Sequence, residues 1–161
     1  MKPPVNRQET AFYRSATIKT GEGRLLLAWP MTFMNRSGRA VEALLESLEL
    51  EPDQMLVVVD DFNLLLGTTR VRKGGSDGGH NGLASIIETL GHNAFPRLRL
   101  GIGPVPDGVE SVEFVLSRFT TSEEPEVNSV VARATEAVIF GACHNFDEFM
   151  SRYNHNPALP E

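Results

Sequence analysis

Two amides, a carboxylate and an imidazole stand out in the 161-residue sequence as groups that could act on a bond: Asn35, Asn81, Asp60 and His80. An asparagine side chain offers both a donor and an acceptor, which suits recognition of an amide or ester. An Asp beside a His can orient the ring and support a general base acting on water. His80 and Asn81 lie near the end of the loop Gly74-Gly75-Ser76-Asp77-Gly78-Gly79-His80-Asn81-Gly82, in which five of nine residues lack a Cβ. Such a loop can take positive φ values and bring backbone close to a ligand, at an entropic cost that needs a reason. The apolar positions Leu83, Ile86, Ile87 and Leu90 that follow predict a helix, whose first turn would present free N–H donors and a positive dipole end to an anion or a carbonyl.

Elimination narrows the chemistry. The phosphate-cradling G-x-x-x-x-G-K-[ST] and the dinucleotide fingerprint G-x-G-x-x-G are absent, as are H-E-x-x-H and any cysteine–histidine cluster. A zinc site and a nucleotide cofactor are therefore unsupported, and by spacing alone a hydrolase and a binding module both remain open. The net charge of −6 speaks against a nucleic-acid partner, but the charge is uneven: residues 1–66 carry −2, 67–103 carry +3 and 104–161 carry −7. Arg70, Arg72 and Lys73 precede the glycine loop, and Arg97 and Arg99 follow it. Phosphate attraction depends on such local placement more than on net charge.

The elements that must position these groups can be read from the pattern. The lead through residue 9 gives no packing signal. Residues 11–19 and 24–29 read as strands of a hairpin turning at Gly21-Glu22-Gly23. Val41, Leu44, Leu45 and Leu48 predict a helix with Ser37 as its N-cap. The apolar run 55–59 fits a strand covered on both faces and ending in Asp60-Asp61, whose side chains point to opposite sides. Residues 68–73 and 97–102 are two more strands. Thr121 with Glu124 resembles a capping box ahead of a helix carrying Val127, Val130, Val131, Ala134, Ala137 and Val138, and a last helix runs through Phe146, Phe149 and Met150. The tail 155–161 should be loose. The single Cys143 reads as a buried small hydrophobe, and His92 and His144 as surface or packed helix residues. Without an apolar run near ~20 residues or a signal-peptide core, a cytoplasmic location is expected. The order β-β-α-β-β-α-β-α predicts one α/β domain over residues 1–161.

Four segments resemble the bacterial-type peptidyl-tRNA hydrolases: Thr32 to Gly38; Asp60-Asp61-Phe62-Asn63-Leu64 with Gly67; Lys73 to Leu83; and Arg97 to Gly103. The resemblance runs in order from about Phe12 to Tyr153. It implies a three-layer α/β/α fold with a mixed central sheet, and an esterase that cuts peptide from the terminal ribose of tRNA as a monomer, without metal or cofactor. On the matching positions it implies that Asp60 orients and polarises a catalytic His. Phe33, Asn35 and Asn81 would bind the peptidyl and 3′ end, His80 would line the same cleft, and Lys73 and Arg99 would contact tRNA phosphates.

That family opens with a strand, an Asn-bearing glycine turn and the His that activates water, and no His precedes Phe33 here. Three expectations follow. Met1 is an internal or truncated start, and the functional protein is longer. Alternatively the chain binds tRNA or another RNA without cutting it, or His80 has taken over as base with Asp60 as its partner. Loss of that strand is expected to leave strand edges unpaired and apolar faces exposed.

Overall fold

The computed structural model describes residues 6–20 and 23–154, and these fall into two units: one formed within residues 1–55 and 75–94, the other within 56–74 and 95–161. Residues 21, 22 and 155–161, on which the predicted turn and tail partly or wholly fall, lie outside the described residues.

In the first unit β2 (Tyr13–Thr20) and β3 (Gly23–Pro30) pair antiparallel from Tyr13 opposite Pro30 to Thr20 opposite Gly23, the expected hairpin. A third strand, β1 (Asn6–Glu9), adds to β2. Nothing apolar announces it, because all four of its residues are exposed and it is held by the main-chain ladder and an Arg14–Glu9 ion pair at 3.0 Å. A 3₁₀ turn (Met34–Arg36) leads into α1 (Ser37–Leu48). Ser37 is not the cap that the sequence suggests: Arg36 takes the N-cap position without a side-chain bond, and Ser37 Oγ donates back to Met34 O at 2.9 Å. α1 comes close to α2 (Asn81–Leu90) at Gly38, whose N–H donates to Ser85 Oγ at 3.1 Å. A Cβ there would meet Ser85 O and the Thr89 side chain. Small residues therefore set the helix contact, while Leu83 and Ile86 fill the buried face of α2 as the periodicity predicts. Tyr13 Oη and Ser47 Oγ, 2.9 Å apart, tie the sheet to α1.

The second unit is built on a sheet in the order β4 (Val57–Leu65), β6 (Arg97–Gly103), β5 (Thr69–Arg72), with β4 parallel and β5 antiparallel to β6. Val71 and Leu98 from this sheet pack with Ala134 and Ala137 of α4 (Glu124–Gly141) and with Phe149 and Tyr153 of α5 (Phe146–Tyr153). The register of β4 shifts between Asp61 and Leu65. Glycines permit this, since a Cβ on Gly101 would meet Leu65 O and one on Gly103 would meet Phe62 O. The outer side of β5 is closed by α5: Val71 N–H donates to Asn154 Oδ1 and Thr69 Oγ1 to Tyr153 O, both at 2.7 Å.

Several expectations for this unit are corrected. β4 runs on to Leu65, so Asp60 and Asp61 lie within it and not at its end. Nor is it covered on both faces, since Val58 is 44% exposed, and among the described residues it lies at one edge of its sheet. A short helix, α3 (Ser111–Leu116), interrupts the segment after β6. The expected capping box does not form: Glu123 takes the N-cap position of α4 without a side-chain cap bond, and its Oε2 instead accepts from both Thr120 N–H and Oγ1 at 2.7 Å. Cys143 is exposed, because it falls after the last turn of α4 and outside its apolar face. Both units combine strands with helices, as the α/β class requires, and no helix among the described residues is long and apolar enough to cross a membrane.

The two bonds from Thr120, its backbone N–H first and its hydroxyl second, hold the Glu123 carboxyl below the ordinary glutamate value of 4.5. A depressed folded-state value contributes stability that is present above 4.5 and lost as pH falls through the folded value. Replacing Thr120 by Ala removes the hydroxyl bond only, so an NMR titration of Glu123 should show the depression shrinking but surviving.

Candidate functional site

The first unit gathers Phe33, Asn35, His80 and Asn81 around the start of α2. Gly78 and Gly79, at φ 61° and 85°, turn the chain there through conformations that L side chains seldom adopt. Asp77 pins the turn, its Oδ2 accepting from Gly79 N–H at 2.8 Å and its carbonyl from His80 N–H at 3.0 Å. His80 then occupies the N-cap position, and its Nδ1 accepts from Gly82 N–H and Leu83 N–H, each at 3.1 Å. The first-turn donors predicted to be free are thus partly consumed by the chain's own imidazole. Gly82 makes room for this, as a Cβ there would lie 2.6 Å from Met34 Sδ and 2.8 Å from His80 Cε1. The 3₁₀ turn bearing Met34 and Asn35 packs against α2, leaving Phe33 78% exposed and the Asn35 and Asn81 side chains at the surface.

The second unit carries Asp60, Lys73 and Arg99. Asp60 is half-buried within β4. Its neighbour Asp61 is buried and forms an ion pair with Arg99, whose own side chain is 24% exposed. Arg99 is therefore held at the sheet by a carboxylate and does not project freely. Arg97 contributes nothing to a surface patch: it is buried, with its guanidinium 4.3 Å from the centre of the Phe95 ring. Lys73 is the exposed member of the basic segment, together with Arg72; its Nζ lies 3.1 Å from Asp147 Oδ1 and 5.4 Å from the centre of the Phe146 ring.

Four partners of these residues were not visible in the sequence. Met34 is set against Gly82, Asp61 holds Arg99, and Asp147 with Phe146 receives Lys73. Only Asp61 carried a signal, since adjacent strand carboxylates must point to opposite faces. The spacing Gly74-Gly75-Ser76-Asp77-Gly78 also fits G-x-S-x-G. Ser76 has no strand-to-helix elbow, because α2 starts at Asn81, and the pattern carries no nucleophile. His92 and His144 are exposed, the latter stacked on Phe140 at 3.6 Å. A concavity of about 520 Å³ lined by Arg118, Phe119, Glu124, Val127 and Asn128 contains none of the candidate residues. Among the described residues no group of three or more His, Cys, Asp or Glu side chains is arranged to hold a metal.

The family model described as peptidyl-tRNA hydrolase matches residues 3–160. The chain is 43% identical over 143 residues to the peptidyl-tRNA hydrolase of Synechocystis sp., covering 89% of this chain and 73% of that protein. It is 46% identical over 131 residues to the peptidyl-tRNA hydrolase of Aquifex aeolicus, covering 81% and 68%. The crystal structure of peptidyl-tRNA hydrolase from Acinetobacter baumannii superposes with a TM-score of 0.86 at 25% identity, over 96% of this chain and 80% of that one.

Replacing Arg99 by Ala strands the buried Asp61 carboxylate. Urea unfolding should therefore show a loss of about 3 kcal/mol, whereas Lys73→Ala, at an exposed pair, should cost less than about 1 kcal/mol.

Proposed function

The chain belongs to the peptidyl-tRNA hydrolase family, and on that footing we propose that it hydrolyses the ester joining peptide to tRNA, releasing tRNA for reuse in translation. The observation that carries this reading is the family match across residues 3–160, which takes in all seven candidate residues. It also favours treating the two units as parts of one functional domain.

In this reading Phe33 and Met34 offer apolar surface to the peptide, and Asn35 and Asn81 offer amides to the ester and the terminal ribose. Phe33, Asn35 and Asn81 are exposed, as contact with a macromolecular substrate needs. Asp60 supplies the carboxylate that orients and polarises a base acting on water, since a carboxylate within hydrogen-bond reach fixes a ring's tautomer and steadies its protonated form. The water passes a proton to that base as it attacks the acyl carbon, the ester C–O bond breaks, and the base returns the proton to the departing ribose oxygen. No step calls on a metal or cofactor. Lys73 serves the tRNA phosphates, and so does Arg99, which is steadied by Asp61; both cations lie within the basic stretch 67–103. That segment's charge of +3 reconciles an acidic protein with a polyanionic partner. The protein is read as a cytoplasmic monomer.

Purified chain incubated with N-acetyl-phenylalanyl-tRNA should release N-acetyl-phenylalanine. Asp60→Ala should slow that release by about 10²-fold or more while leaving tRNA affinity in place. Lys73→Ala should weaken affinity for any tRNA and flatten its salt dependence by about one unit of slope. tRNA binding without any release would overturn the hydrolase in favour of an RNA-binding protein.

A further inference from the structure

We propose that the face of the β1–β2–β3 sheet turned away from α1 is a contact for unpaired nucleotides of RNA, with the Trp29 ring stacking on a base and Arg14 and Arg7 meeting phosphates. The strand register places these groups together. Arg14 lies directly opposite Trp29, and Glu9 directly opposite Arg14. Two residues along, Arg7, Ala16 and Leu27 form the next row of the same face. Tyr13, one position from Arg14, points the other way and is the residue joined to Ser47 of α1.

Trp29 is the chain's single tryptophan; it is 52% exposed and stands on β3, at one edge of this sheet among the described residues. None of the aromatic or cation–π contacts among the described residues involves its ring. A bare ring of this size is a stacking platform, and every base has a face to lay on it. The charges around it select an anion. Residues 1–30 carry Lys2, Arg7, Arg14, Lys19 and Arg24 against Glu9 and Glu22, a net +3, whereas residues 31–66, with two Arg and seven Asp/Glu, carry −5. The total of −2 over both conceals a second basic stretch. Glu9 engages one guanidinium nitrogen of Arg14 at 3.0 Å, but side chains 62% and 56% exposed pair weakly in water, and the other N–H donors of the guanidinium can serve a phosphate. Aromatic surface beside guanidinium groups on a sheet is the combination that holds single-stranded RNA, whereas an apolar peptide would have no use for the arginines. The proposal takes from the preceding reading only that the partner is RNA, and its test uses no ester, so either can fail without the other.

Hexa-adenylate titrated into the purified chain at low salt should quench the fluorescence of Trp29, which no second tryptophan obscures. With dye-labelled hexa-adenylate followed by anisotropy, Trp29→Ala should weaken binding about tenfold, and Trp29→Phe, which keeps a ring, by less than about threefold. Arg14→Ala changes an exposed position that the core does not need, and it should flatten the slope of log affinity against log salt by about 0.7. Absence of quenching, or binding that Trp29→Ala and Arg14→Ala both leave unchanged, overturns the proposal. Quenching by an uncharged hexapeptide of alternating Phe and Gly, with none by hexa-adenylate, would make the face a peptide surface and overturn it as well.

Discussion

Two backbone N–H groups converge on His80 Nδ1, and much of the first unit is arranged so that they can. Helix starts leave four N–H groups without helical partners, and an N-cap side chain commonly answers some of them. Here the answer comes from a ring too large to fold over an ordinary residue, so residue 82 has no side chain. The turn before it is wound tightly through Gly78 and Gly79, with Asp77 bracing it. Behind the cap, α2 is fixed to α1 by the close approach at Gly38 and the bond from its N–H to Ser85. The polar end of the helix is rigid because its apolar body is.

In the second unit the comparable constraint is electrostatic. Asp61 is buried, and a buried carboxylate is tolerated when a cation meets it. Arg99 meets it from the neighbouring strand, and the parallel register that sets Val59 opposite Arg99 and Asp61 opposite Gly101 brings the two within reach. Because side chains alternate along β4, fixing Asp61 on one face directs Asp60 to the other. The paired Asp61 and the candidate Asp60 are thus adjacent in the chain but on opposite faces, and glycines on β6 let the backbone of β4 shift register just beyond them.

What the sequence revealed and concealed divides along physical lines. The hairpin, α2, α4 and α5 were legible because each carries an apolar period over eight or more residues. β1 and α3 were not: one is four exposed residues held by main-chain bonds, the other a six-residue turn of helix. The apolar run of β4 suggested burial on both faces, but Val58 is exposed, and a one-dimensional pattern cannot say what packs on each face. The five basic residues near the glycine loop looked alike as a string, yet Arg97 is buried, Arg99 serves Asp61 and Lys73 lies by Asp147. Charge counts report type, and only the register of distant strands decides environment. The cap at α2 escaped because imidazole is not among the usual capping side chains.

One further consequence follows from Asn154, whose side-chain oxygen occupies the hydrogen-bonding position on Val71 that another strand would take. An open sheet margin is a template on which foreign chains can polymerise, the first step toward fibrils. On the β5 side that template is masked, so recruitment of a stray segment there would first require peeling away the end of α5, with Phe149 and Tyr153 drawn out of their apolar surroundings. Resistance to fibril growth on that flank is thereby coupled to the integrity of the core itself.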